Sequence, residues 1–125
     1  MLTILIIDDS EADQYLTKHV IEEFDPNATI LQAYDGREAL DILGALPAQP
    51  DAIFLDINMP RMNGYDFLAE YQMWEERSIV VIMLTSSDQI LDREKASAYE
   101  SVIEYFTKPV TVSDLEKIPQ LAEKR

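Results

Sequence analysis

The chemistry this sequence can do rests on five side chains: the carboxylates of Asp8, Asp9 and Asp56, the hydroxyl of Thr85 and the amine of Lys108. All five stand close behind short apolar runs, in ILIIDD, IFLD, IVVIMLT and YFTKP. Two carboxylates about 4 Å apart, at an effective dielectric near 20, repel by roughly 4 kcal/mol. Three brought to one place therefore call for a cation, either a metal or a lysine. With oxygen donors and no His or Cys beside them, the set favours Mg²⁺ over zinc. Mg²⁺ usually takes one or two carboxylates, which Asp9 and Asp56 can supply while Asp8 holds a bound water. A carboxylate beside such an ion, with a lysine opposite, suits attack on a phosphoryl group. The two cations neutralise the group in flight, Asp forms an acyl phosphate, and Thr85 donates to a phosphoryl oxygen. An acyl phosphate is reversible and so belongs in a switch. Glycine-rich phosphate cradles are absent. The turn after the first run reads Asp8-Asp9-Ser10-Glu11-Ala12-Asp13, which repels a phosphate unless a cation intervenes.

Something must hold these residues on one edge. Short apolar runs alternate with longer amphipathic stretches, the pattern of an α/β domain with a parallel sheet. Strands are expected at Leu2 to Ile7, Thr29 to Tyr34, Ala52 to Leu55, Ile79 to Leu84 and Val102 to Phe106. The first and fourth are apolar without alternation, as befits central strands covered on both faces. Thr29 to Tyr34 is mixed and reads as an edge. Ala12, Leu16, Val20 and Phe24 recur at i+4 and predict an apolar helix stripe. Further helices are expected over Gly36 to Leu43, Gly64 to Trp74 and Asp88 to Tyr99. A last one starts near Ser113, with Ser113 and Glu116 as a capping box. Pro119 lies too deep in that helix to be its first residue, so the helix must be short or kinked. In an open parallel sheet the ligand site lies beyond the carboxyl ends of the strands, where the three acids, the hydroxyl and the lysine all fall.

A chain of 125 residues fits a single domain, 1–125. The 10 Lys+Arg against 24 Asp+Glu give a net charge of −14, which argues against direct contact with nucleic acid or an anionic membrane surface. The absence of cysteine removes disulfides, thiolate zinc sites and thiol catalysis. The apolar runs are too short to span a bilayer. A cytoplasmic location is expected.

IDDS, FLDINMPRMNG, MLTSS and YFTKP, in this order and after these strands, resemble the receiver domain of two-component response regulators, in a stand-alone, chemotaxis-regulator-like form with no output domain. The resemblance spans essentially the whole chain. It implies a flavodoxin-like doubly wound fold, with a five-stranded parallel sheet in the order 2-1-3-4-5 and helices on both faces. It also implies that Asp56 is the phospho-acceptor, that Asp8 and Asp9 bind Mg²⁺, and that Asn58 adds its backbone carbonyl to the metal. Thr85 becomes the switch hydroxyl, Lys108 the phosphate-contacting lysine, Tyr105 the switch aromatic, and Lys108-Pro109 a cis peptide. Asn58 and Ser87 take positions that tune dephosphorylation. The implied partners are a sensor histidine kinase or histidine phosphotransfer protein and a downstream protein target. The chain would then be no enzyme beyond its own phosphorylation and dephosphorylation. Two positions depart from the family pattern: Ser101-Val102 replace a Gly-Ala pair, and Pro119 interrupts the final helix.

Two other functions compete. A pseudo-receiver would use the fold as a binding module without phosphoryl chemistry, although such modules tend to lose the acids. An Mg²⁺-dependent aspartyl phosphatase is suggested by Asp56-Ile57-Asn58, but its nucleophile would follow the first strand. His19 reads as structural or surface, and Trp74, Met59, Met62, Met73 and Met83 as packing or loop-shaping residues.

Overall fold

The computed structural model describes residues 2–59, 62–77, 80–86, 99 and 101–125. Five strands, β1 (Thr3–Ile7), β2 (Thr29–Ala33), β3 (Ala52–Asp56), β4 (Val81–Thr85) and β5 (Val102–Thr107), form one sheet in the order β2-β1-β3-β4-β5. Every pairing is parallel. The helices are α1 (Glu11–Phe24), α2 (Gly36–Ala45), α3 (Gly64–Tyr71) and two short segments, α4 (Val112–Glu116) and α5 (Pro119–Ala122). The expected helix over Asp88 to Tyr99, and Ser87 before it, lie outside the described residues, Tyr99 excepted.

Side chains alternate across a strand, and here both alternating sets are apolar. Leu5, Ile7, Ile53, Leu55, Val81 and Met83 pack with Leu40 and Leu43 of α2 and Phe67, Leu68 and Tyr71 of α3. Ile4, Ile6, Phe54, Ile82 and Leu84 pack with Ile21 and Phe24 of α1, Leu115 of α4 and Leu121 of α5. Full burial of each such side chain stabilises by about 1.5–3 kcal/mol, and burial on both faces explains why β1, β3 and β4 lack polar alternation. β2 and β5, at the two edges, are only half-buried.

Two expectations need correction. The buried face of α1 is Gln14, Thr17, Ile21 and Phe24, while Ala12 is exposed and Leu16 is 48% exposed. A strict i+4 series drifts by about 40° per step around a helix, so the stripe leaves the sheet toward its N-terminal end. The polar Gln14 and Thr17 take the inner places instead. At the other end of the chain, the capping box is Thr111 with Asp114, not Ser113 with Glu116. The helix stops at Glu116, and Pro119 starts a new turn as a first-turn proline, where its missing N–H removes no hydrogen bond.

Candidate functional site

The strand order reverses between β1 and β3, since the chain goes from β1 outward to β2 and then returns to β1's other side. Asp8 and Asp9 follow β1 and Asp56 ends β3, so the three carboxylates meet at the switch point where an open α/β sheet leaves a crevice. One oxygen from each lies within 4.8 Å of the others. Asp8 and Asp56 are buried and Asp9 is exposed.

The backbone fixes Asp8 on several sides. Its N–H donates to Ala33 O at 3.0 Å, and its Oδ1 accepts from Ser10 N–H at 3.0 Å. Gln14, 1% exposed, donates Nε2 to the carbonyls of Ile6, Asp8 and Ala33 at 3.2, 3.1 and 2.8 Å. The loop after Asp56 is held by Gly64 N–H donating to Ile57 O at 2.8 Å, directly behind the capping box of Asn63 and Asp66. A Cβ on Gly64 would stand 2.8 Å from Asp56 O and 3.0 Å from Ile57 Cα, so this close approach admits only glycine. Asn58, two residues past Asp56, is exposed in this loop.

Lys108 arrives from the end of β5. Its N–H donates to Thr85 O at 2.6 Å, tying it to the end of β4, and the Lys108-Pro109 peptide is cis. Nζ donates to Asp8 Oδ2 at 2.8 Å and to Asp13 Oδ2 at 2.9 Å. It lies 3.2 Å from Asp56 Oδ1, an ion-pair distance, yet that buried oxygen accepts no well-aligned hydrogen bond among the described residues. Thr85, the last residue of β4, is buried. Tyr105 is half-buried in β5, paired across to Met83 and packed against the α2/α3 side of the core.

Burial pushes the Asp56 carboxyl up to about 6 from its ordinary 3.8; the Asp8 charge adds to the rise and Lys108 opposes it. Asp8 is also raised, by burial first, with Lys108 pulling the other way. Burial alone would lower Lys108, but its hydrogen bonds to Asp8 and Asp13 outweigh that and hold it above the usual lysine range. A crowded acid cluster whose central carboxylate is buried, raised and short of hydrogen bonds fits a hard divalent cation with oxygen preference. The exposed Asp9 leaves that position open to water.

The structure thus brings together Asp8, Asp9, Asp56 and Lys108 as the sequence leads one to expect, and places Thr85 and Tyr105 on the neighbouring strands. Two residues of the site, Asp13 and Gln14, escape sequence reasoning. Asp13 reads in the sequence as a helix-start acid three residues after Ser10, whose side chain does accept its N–H. Gln14 gives no apolar signal at all. Trp74 packs edge-on against Tyr71, and Met59 and Met83 are buried, but Met73 is 78% exposed and packs little. His19 is exposed, stacked with Tyr15 and 3.4 Å from Glu23.

Residues 4–120 match the family model of the response regulator receiver domain. The chain is 34% identical over 107 residues to the sensor histidine kinase CheAY of Helicobacter pylori, covering 85% of this chain and 13% of that protein. It is 31% identical over 115 residues to protein PilG of Pseudomonas aeruginosa, covering 91% of this chain and 82% of PilG. Among solved structures, the Mn²⁺-bound form of response regulator Rcp1 superposes with a TM-score of 0.74 at 28% identity, covering 96% of this chain and 90% of that one. The chain therefore spans a small part of some relatives and most of others, and no helix among the described residues is long and apolar enough to cross a membrane. With the family's sheet order, its acid cluster at the switch point and its lysine on the edge of β5, this chain belongs to the response regulator receiver domains of two-component signalling.

Proposed function

We propose that this domain is a phosphorylation-controlled switch in which Asp56 accepts a phosphoryl group from a phosphohistidine donor, with Mg²⁺ bound by Asp8, Asp9, Asp56 and the Asn58 carbonyl. One observation carries this reading: three carboxylates within 4.8 Å of one another, with the Lys108 ammonium against two of them, at the sheet's switch point. In the transfer, a carboxylate oxygen of Asp56 forms the new P–O bond as the P–N bond to the donor imidazole breaks. The imidazole keeps the electron pair and takes a proton. Bound Mg²⁺ supplies positive charge to the transferring group. Lys108 supplies more from the opposite side, and Thr85 donates its hydroxyl to a phosphoryl oxygen.

The signal leaves through protein contact, with Thr85 and Tyr105 responding to the new charge on Asp56. The donor is a sensor histidine kinase or histidine phosphotransfer protein, and the receiver is a protein target. The net charge of −14 speaks against direct binding to nucleic acid or an anionic membrane surface. The domain acts in the cytoplasm and turns over no substrate beyond its own acyl phosphate. A buried carboxylate oxygen with no well-aligned hydrogen bond among the described residues is poorly suited to a pseudo-receiver, which has no phosphoryl chemistry to offset the cost of burying it.

The test is intact mass after incubation with Mg²⁺ and acetyl phosphate, with Asp56→Asn alongside. One added phosphoryl group, labile to hydroxylamine and missing from the variant, is the expected result. No adduct, together with no binding of beryllofluoride, overturns the reading.

A further inference from the structure

Lys108 is shared among three carboxylates, and one of them is no part of the acid cluster. An ammonium has three N–H donors. Two of these are committed to Asp8 Oδ2 and Asp13 Oδ2, while Asp56 Oδ1, 3.2 Å away, accepts no well-aligned hydrogen bond among the described residues. The Lys108 side chain is only 13% exposed, so water offers it few alternatives. A phosphoryl group on Asp56 brings new anionic oxygens to this lysine, and drawing the ammonium and its third N–H toward them pulls it away from its present seat between Asp8 and Asp13.

The two carboxylates differ in how easily they let go. Asp8 is buried and has no access to replacement water. The Asp13 side chain is 35% exposed, and its backbone is held in the first turn of α1 by the Ser10 cap whether or not Lys108 is bound. Its carboxylate is hydrated at little cost once released. We infer that Asp13 is a positioning residue that acts through Lys108: it competes with the phosphoryl group for the ammonium and so sets how readily the site is charged. This rests on Asp56 being the phosphoryl acceptor.

Beryllofluoride in the presence of Mg²⁺ is the probe, with affinity measured by titration calorimetry. Asp13→Asn keeps the helix start and removes the competing charge, and it should bind roughly fivefold tighter than wild type, as expected for loss of a part-exposed ion pair. Asp13→Glu, which keeps the charge, should return toward wild type. Loss of helix structure would weaken binding, so a gain separates competition from damage. The same Asp13→Asn change in a Lys108→Gln background should have much less effect. Equal or weaker binding by Asp13→Asn, or an equal gain without the lysine, overturns the inference. If wild type binds no beryllofluoride and takes no phosphoryl group, the acceptor role of Asp56 fails and this inference with it. Normal wild-type binding with an unchanged Asp13→Asn defeats this inference alone.

Discussion

The side chain of Gln14 and the carbonyl of Ala33 meet at 2.8 Å, and the same carbonyl accepts the N–H of Asp8 at 3.0 Å. A helix side chain thus stitches together the carboxyl ends of β1 and β2 beside the acid cluster. Its Oε1 accepts in turn from Gln32 Nε2 at 3.1 Å, so the buried amide is engaged through both its atoms.

Replacing Gln14 by Leu removes these bonds, although the Ala33 carbonyl keeps the N–H of Asp8. Each lost hydrogen bond costs about 0.5–1.5 kcal/mol, so several lost together come to about 1–3 kcal/mol. Urea unfolding should show a loss of that size for Gln14→Leu and a smaller one for the half-buried Gln32→Ala. A loss no greater than that of Gln32→Ala would remove the stitch from the account.

Stability without metal should depend on the ionisation of Asp56. The folded carboxyl is raised to about 6 from its ordinary 3.8, so between those values the folded state binds more protons than the unfolded one. Stability therefore falls as pH rises from about 4 to about 6. Above that window Asp56→Asn should exceed wild type by up to about 3 kcal/mol, since each unit is worth about 1.4 kcal/mol. The check is chemical unfolding in EDTA across pH 4 to about 8, where parallel wild-type and variant profiles would contradict it.

Divalent metal should reverse part of that loss. Binding to the folded state alone adds about 2.7 kcal/mol at a hundredfold excess over the dissociation constant. Thermal unfolding at neutral pH should show Tm rising with Mg²⁺ for wild type and much less for Asp9→Asn or Asp56→Asn. Chelation should return the wild type to its starting value. A rise that survives both substitutions would place the ion elsewhere.

Gly64→Ala should damage the loop after the acceptor. The added Cβ would meet backbone at 2.8 and 3.0 Å, and backbone cannot swing aside as a long side chain can. Overpacking of this kind costs about 1–3 kcal/mol. Denaturant unfolding should show that loss, with Asp56 amide and Ile57 amide shifts as the largest changes in a heteronuclear spectrum. Gly44→Ala is the control, since its Cβ would meet only Trp74 at 3.8 Å.

Most of the architecture is legible in the sequence because the strands are buried on both faces. Uninterrupted apolar runs such as Ile4 to Ile7 and Val81 to Leu84 have few other uses in a chain of this size. The acids and the lysine are legible because each stands at the end of such a run. The α1 stripe misleads for a physical reason: periodicity weighs only apolar residues, whereas Gln14 and Thr17 face inward, Gln14 donating to carbonyls at the ends of β1 and β2. The capping box of the last helix sits two residues before its expected place because SDLE and TVSD offer nearly equivalent local chemistry. Pro119 then opens the final turn rather than kinking a longer helix.

By itself the sequence determined the layers, the parallel sheet and the residue types along its carboxyl edge, because these depend on local pattern and on the residues at the end of each strand. Only the tertiary structure decided who partners whom there. Lys108 reaches Asp8 across 100 residues and Asp13 across 95, and Gln14 reaches Ala33 across 19. Such contacts arise from how α1 and β5 are rotated and set against β1, which the packing of the whole core fixes to within an ångström. The strength of a hydrogen bond depends on distances of that order, so the division of Lys108 among three carboxylates has no signature in the order of residues along the chain.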